Sequence, residues 1–113
     1  MRIARLEDLA KVIRSKNAGP FELTLDVMFD SAEVYDQVKN SGVITRQAIA
    51  KLYGYEMDPD RVLAVAFFDP ALAVKITLVR PCVSGALGDC DVYGAQQHAP
   101  LLGLEIPVRD PST

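Results

Sequence analysis

In the nine residues Phe21–Phe29, FELTLDVMF, apolar and polar side chains alternate from Phe21 through Val27. Phe21, Leu23, Leu25, Val27 and Phe29 fall on one side of an extended chain, and Glu22, Thr24 and Asp26 on the other. A period of two belongs to a strand with one buried face, so a second layer must cover that face. Two later runs extend the sheet. RVLAVAFFDP, residues 61–70, carries a continuous apolar run rich in Val and Phe and predicts a central strand. AVKITLV, residues 73–79, sets Val74, Ile76 and Leu78 on one face and Lys75, Thr77 and Val79 on the other.

The covering layer is helical. In DSAEVYDQVKNSG, Asp30 or Ser31 can cap a helix, Glu33 suits its first turn, and Gly42 ends it. Val34, Tyr35 and Val38 form its apolar stripe. A second helix starts at Thr45, buries Ala48, Ile49, Leu52 and Tyr53, and stops at Gly54.

The remaining segments are less regular. RLEDLAKVIR fits both helical spacing and strand alternation, with a lean to strand over its second half. RSKNAGP, Arg14 to Pro20, has loop chemistry, and Gly19 can take a positive φ there. RPCVSGALGDCD reads as a loop. VYGAQQHA offers at most one helical turn, with Pro100 disfavouring helix at Ala99. LGLEIPV reads as a last short strand. Strands cluster and helices lie between them, which is the α+β pattern. The expected architecture is a four- or five-stranded mixed or antiparallel sheet with two helices on one face. One domain is expected, with a core over residues 6–108 and a tail at 109–113.

Composition narrows the function classes. Half of the 113 residues are hydrophobic and the net charge is -3, so there is no basic footprint for nucleic acid. No apolar run reaches membrane-spanning length, and the charged start MRIARLEDLAKVIR lacks a signal core. A cytosolic protein is expected. Cys82 and Cys90 are then expected as free thiols, a loop disulfide being the alternative. One histidine cannot anchor a metal site alone, and no dinucleotide fingerprint is present, so no cofactor is expected.

Three polar clusters could carry chemistry. Arg14, Ser15, Lys16, Asn17 and Gly19 combine cations, an amide and flexible backbone, which suits a carboxylate or phosphate; the plainer reading is a solvated hairpin connection. Asp26 lies within the strongest strand. It either faces solvent or pairs with Lys16, Lys75 or Arg80 at a site. The third cluster, DVYGAQQHAP, holds Asp91, Tyr93, Gln96, Gln97 and His98. His98 is the natural proton-transfer group, with Asp91 beside it as a second candidate. The glutamines can orient a carbonyl, although a lone histidine here also fits a structural role.

The runs RSKNAGPFELTLDVMF, ALAVKITLVRP and DVYGAQQHAPLL resemble a small bacterial family classed as a domain of unknown function. The resemblance spans about Leu6 to Val108. That family is similar in turn to the C-terminal domain of the acyclic terpene utilisation protein A group, which is ferredoxin-like. An Arg-Ser-Gly-Asp-Lys-Gly loop in that group corresponds to Arg14–Gly19. Its Asp and Gly-Lys pair correspond to the region of Asp91 and Gly94, ahead of a paired leucine like Leu101-Leu102. Here Lys16-Asn17-Ala18 stand in place of Gly-Asp-Lys, and no lysine follows Gly94. The resemblance implies a separate small subunit beside a larger protein carrying the main domain of that group. The implied setting is acyl-CoA or carboxylate catabolism, with a lyase- or hydratase-type reaction.

The expectation is therefore a small subunit of a two-component enzyme. Arg14 and Lys16 would hold an anion, Gln96 and Gln97 would orient a carbonyl, and His98 would move a proton. Asp26, Lys75 and Tyr93 fall in the same signature runs. The alternative is a non-catalytic interaction module whose polar loops are staples or a docking surface. A homo-oligomer that works alone is a third reading.

Overall fold

A computed structural model of the chain describes residues 2–19, 21–79 and 98–108. The expected α+β class holds. A four-stranded antiparallel sheet is built from β2 (Val12–Asn17), β3 (Glu22–Met28), β4 (Val62–Phe68) and β5 (Ala73–Val79), in the order β2-β3-β5-β4. A smaller antiparallel pair joins β1 (Arg2–Arg5) to β6 (Glu105–Val108). Two helices, α2 (Ala32–Asn40) and α3 (Arg46–Leu52), connect β3 to β4. Two single-turn helices, α1 (Leu6–Leu9) and α4 (Ala99–Leu102), flank the small sheet.

Strand alternation decides the layers. Leu23, Leu25, Val27, Val74, Ile76 and Leu78 are fully buried on one face, as the period of two requires. Tyr35 and Val38 from α2, and Ile49 and Ala50 from α3, complete the same core. Both helix starts follow from their caps. The Ser31 hydroxyl accepts from the Val34 amide at 3.3 Å and the Thr45 hydroxyl from the Ala48 amide at 3.1 Å. The helices stop beside Gly42 and Gly54 as expected.

Four expectations are corrected. Arg14–Asn17 are strand rather than loop, because β2 continues through them against β3. The turn is confined to the following residues, where Gly19 takes φ +105° and the Ala18 amide donates to the Glu22 carbonyl at 2.9 Å. Phe21 is exposed because it lies in that turn, before the ladder begins. Residues 62–68 form an edge strand rather than a central one: among the described residues β4 pairs only with β5. A helical turn does form at Ala99, since Pro100 sits in its first turn, where a missing amide hydrogen costs nothing. The ambiguous opening segment uses both of its patterns in succession, α1 and then β2.

Two polar contacts tie helix to sheet. The Tyr35 hydroxyl donates to Asp69 Oδ1 at 2.6 Å, and Lys39 Nζ donates to the same oxygen at 2.8 Å. This anchors α2 to the β4–β5 connection, where Leu72 takes the left-handed conformation at φ 50°. The Tyr55 hydroxyl donates to the Val79 carbonyl at 2.9 Å, and the Arg61 guanidinium lies 5.4 Å from the centre of the Tyr55 ring.

Candidate functional site

The candidate site grows from the way the two ends of the described chain fold together. β1 and β6 pair in register from Arg2↔Val108 to Arg5↔Glu105. The Leu6 amide donates to the Leu104 carbonyl at 2.8 Å, and Leu6 and Leu101 are both fully buried. This packing fixes α4 beside α1. His98 precedes α4 as its capping residue, and its carbonyl accepts from the Leu101 amide at 2.9 Å. The chain leaving α1 runs directly into β2, so the start of α4 is brought onto that edge strand.

There His98 Nδ1 lies 3.4 Å from Ser15 Oγ, a long hydrogen bond across 83 residues of sequence. Ser15 is only 8 % exposed. It sits in the row Val65–Ile76–Leu25–Ser15, at the end of the core face of the sheet. Asn17 occupies the same face two residues on, with its side-chain oxygen buried. The two signature runs, RSKNAGP and DVYGAQQHAP, therefore meet through Ser15 and His98.

The charged members of the first run fall on the opposite face. Arg14 and Lys16 alternate with Ser15 and Asn17 along β2, and both are exposed. Arg14 is directly opposite Asp26, and its Nε reaches Asp26 Oδ2 at 3.3 Å. Lys75 flanks Asp26 from β5, completing the row Ala66–Lys75–Asp26–Arg14. Asp26 thus pairs with Arg14, a partner outside the set Lys16, Lys75 and Arg80 drawn from the sequence. Lys16 heads the next row, Lys16–Thr24–Thr77–Ala64, in which Thr24 is buried. Among the described residues no ion pair involves Lys16. Gly19 stands apart in the hairpin turn, with open space around it.

Asp91, Tyr93, Gln96 and Gln97 lie outside the described residues, as do Arg80, Cys82 and Cys90. Among the described residues no group of histidine, cysteine and carboxylate side chains can hold a metal ion. No described helix is long and apolar enough to cross a membrane.

Chemically, β2 is an edge strand with two different sides. One side presents the Ser15–His98 pair, in which the serine hydroxyl can orient the imidazole through Nδ1 and leave Nε2 for proton transfer. The other presents cations, with Lys16 one residue from the pair. The alternation of charged and neutral residues in Arg14-Ser15-Lys16-Asn17 was the sequence signal for this division.

The family described as Domain of unknown function (DUF4387) matches residues 6–105. No curated protein and no solved structure matches the chain. The match takes in both signature runs and every strand of the four-stranded sheet, and the chain belongs to that domain-of-unknown-function family.

Proposed function

We propose that the chain is the small subunit of a two-component cytosolic enzyme acting on a carboxylate or an acyl-CoA. The observation that carries this reading is the contact between Ser15 and His98. It brings the only histidine of the chain onto the strand that holds Lys16. In the proposed site His98 moves the proton and Ser15 positions its ring, while the long Lys16 side chain, which leaves the opposite face of β2, reaches round the open edge of the strand to hold the substrate anion. Arg14 is engaged by Asp26, so it is assigned to the polar face of the sheet rather than to the anion. The resemblance to the C-terminal domain of the acyclic terpene utilisation protein A group supports the choice of substrate class. It also supports a larger partner carrying the main domain of that group.

A second reading has its own support. Ser15 is nearly buried, only 8 % exposed. A hydrogen bond in such surroundings also serves as a staple in an interaction module.

One experiment separates the two. The chain is co-expressed with a candidate larger protein that carries the main domain of the acyclic terpene utilisation protein A group, co-elution is tested, and the pair is assayed on acyl-CoAs and hydroxy or unsaturated acids. Co-elution with turnover that His98→Ala abolishes supports the enzyme. Turnover unchanged in both His98→Ala and Lys16→Ala removes these residues from the chemistry and leaves the staple.

A further inference from the structure

Residues 62–68, VLAVAFF, have the composition of a strand buried between two neighbours, yet among the described residues they form an edge. The contrast with the other edge is chemical. β2 carries Arg14 and Lys16, charges of the kind that keep an edge from pairing with another chain. β4 carries no charge and no proline over its seven residues. Leu63 and Phe68 are 43 % and 50 % exposed, and Ala64 is exposed as well. An exposed apolar edge of this length is a template for a further strand.

We propose that β4 is the interface of a two-fold dimer, in which β4 of one copy pairs antiparallel with β4 of a second copy. The irregularity between Val62 and Ala64 leaves Ala64–Phe68 as the regular stretch, and its midpoint is Ala66. A two-fold axis at Ala66 places Ala66 opposite itself, Val65 opposite Phe67, and Ala64 opposite Phe68. Each pairing keeps both residues on the same face, so every row of the sheet continues into the second copy.

The sizes are complementary. The exposed Phe68 ring of one copy meets the small Ala64 of the other. Val65 and Phe67, which line an open groove with Ile44 and Thr45, meet their counterparts on the helix side. No charge within the strand opposes the approach. The Lys75 residues of the two copies would be three strand spacings apart, about 14 Å, beyond the range of strong repulsion at physiological salt. The second copy is favoured over a foreign strand because β4 carries no charge that would repel its own image and its small Ala64 falls opposite its large, exposed Phe68.

The test is sedimentation of the purified chain over a concentration series. A species of twice the 12.3 kDa chain mass is expected, and Ala66→Lys, which opposes two like charges at the axis, is expected to sediment as a folded monomer. Ala66→Cys in a background of Cys82→Ser and Cys90→Ser is expected to form an interchain disulfide on oxidation, since opposed Cα atoms in such a pair are about 4.5–5.5 Å apart. A wild-type chain that stays monomeric throughout overturns the proposal. So does a dimer that Ala66→Lys leaves intact, or one in which Ala66→Cys does not cross-link.

Discussion

Ser15 and His98, near opposite ends of the sequence, meet with Oγ and Nδ1 3.4 Å apart. The contact depends on the packing of α4 against α1, which is fixed by Leu6, Leu101 and the Leu6–Leu104 backbone bond. If it orients a proton-transfer group, three substitutions have different kinetic signatures in the assembled enzyme. His98→Ala lowers kcat by about 100-fold or more, the usual contribution of a positioned acid or base. Ser15→Ala lowers kcat less, and Ser15→Thr restores it in part. Lys16→Ala raises KM with little change in kcat, because an anion handle acts on ground and transition states alike. Steady-state kinetics on the co-purified pair checks all three.

The Tyr35 hydroxyl is a structural group. It is buried against Phe29 and Phe67, with ring centroids at 6.0 and 6.2 Å, and donates to Asp69. The Lys39 ammonium, then the Tyr35 hydroxyl, hold the Asp69 carboxyl below its ordinary range. Tyr35→Phe keeps the ring packing and removes one charge-assisted bond, so it costs about 1–2 kcal/mol. Urea unfolding followed by circular dichroism measures the difference.

Three tyrosines make the fold sensitive to alkali. Burial first, then the hydrogen bond to Asp69 and the charges of Asp69 and Asp36, push the Tyr35 hydroxyl from 10.0 up to about 12. Burial alone pushes Tyr53 up, and burial outweighs the Arg61 guanidinium at Tyr55. The unfolded phenols ionise near pH 10 while the folded ones keep their protons. Stability is therefore fully present below pH 10 and falls as pH rises from 10 towards 12. Urea midpoints measured on either side of pH 10 should drop on the alkaline side, and the drop should be smaller in Tyr35→Phe.

How much of this was readable in the sequence depends on how local each feature is. FELTLDVMF and AVKITLV declare their buried faces because alternation is a property of a few adjacent residues. The two helix caps are local for the same reason. β1 was missed because four residues, RIAR, form a strand only by pairing with residues 105–108. β4 was misplaced because apolar composition reports what a strand can bury, not how many neighbours the rest of the sheet supplies. The Ser, Asn, Gly and Pro of RSKNAGP suggested a loop, although the alternation of charged and neutral residues in RSKN fits the strand observed. The pairing of Asp26 with Arg14 follows from the β2–β3 register, which the sequence does not fix until the turn at Gly19 is located.

Gly19 belongs to that turn, and the proposed site does not use it. Its φ of +105° disfavours any side chain, while a Cβ would meet nothing within 4 Å. Gly19→Ala therefore costs only backbone strain, about 1–2 kcal/mol. Its kcat and KM in the proposed two-component enzyme should match the wild type, whereas its thermal midpoint should fall.

His98 is the sole histidine, so every imidazole nitrogen signal of the protein is its own. A long-range proton–nitrogen correlation spectrum of the uniformly labelled, tag-free chain reads the tautomer of that ring directly. With Ser15 Oγ bound at Nδ1, the wild type should show one dominant tautomer at neutral pH, and Ser15→Ala should shift Nδ1 and mix the tautomers while the backbone spectrum stays folded. Identical ring signals in the wild type and Ser15→Ala would contradict the joining of the two signature runs at Ser15 and His98, and the proposed site with it.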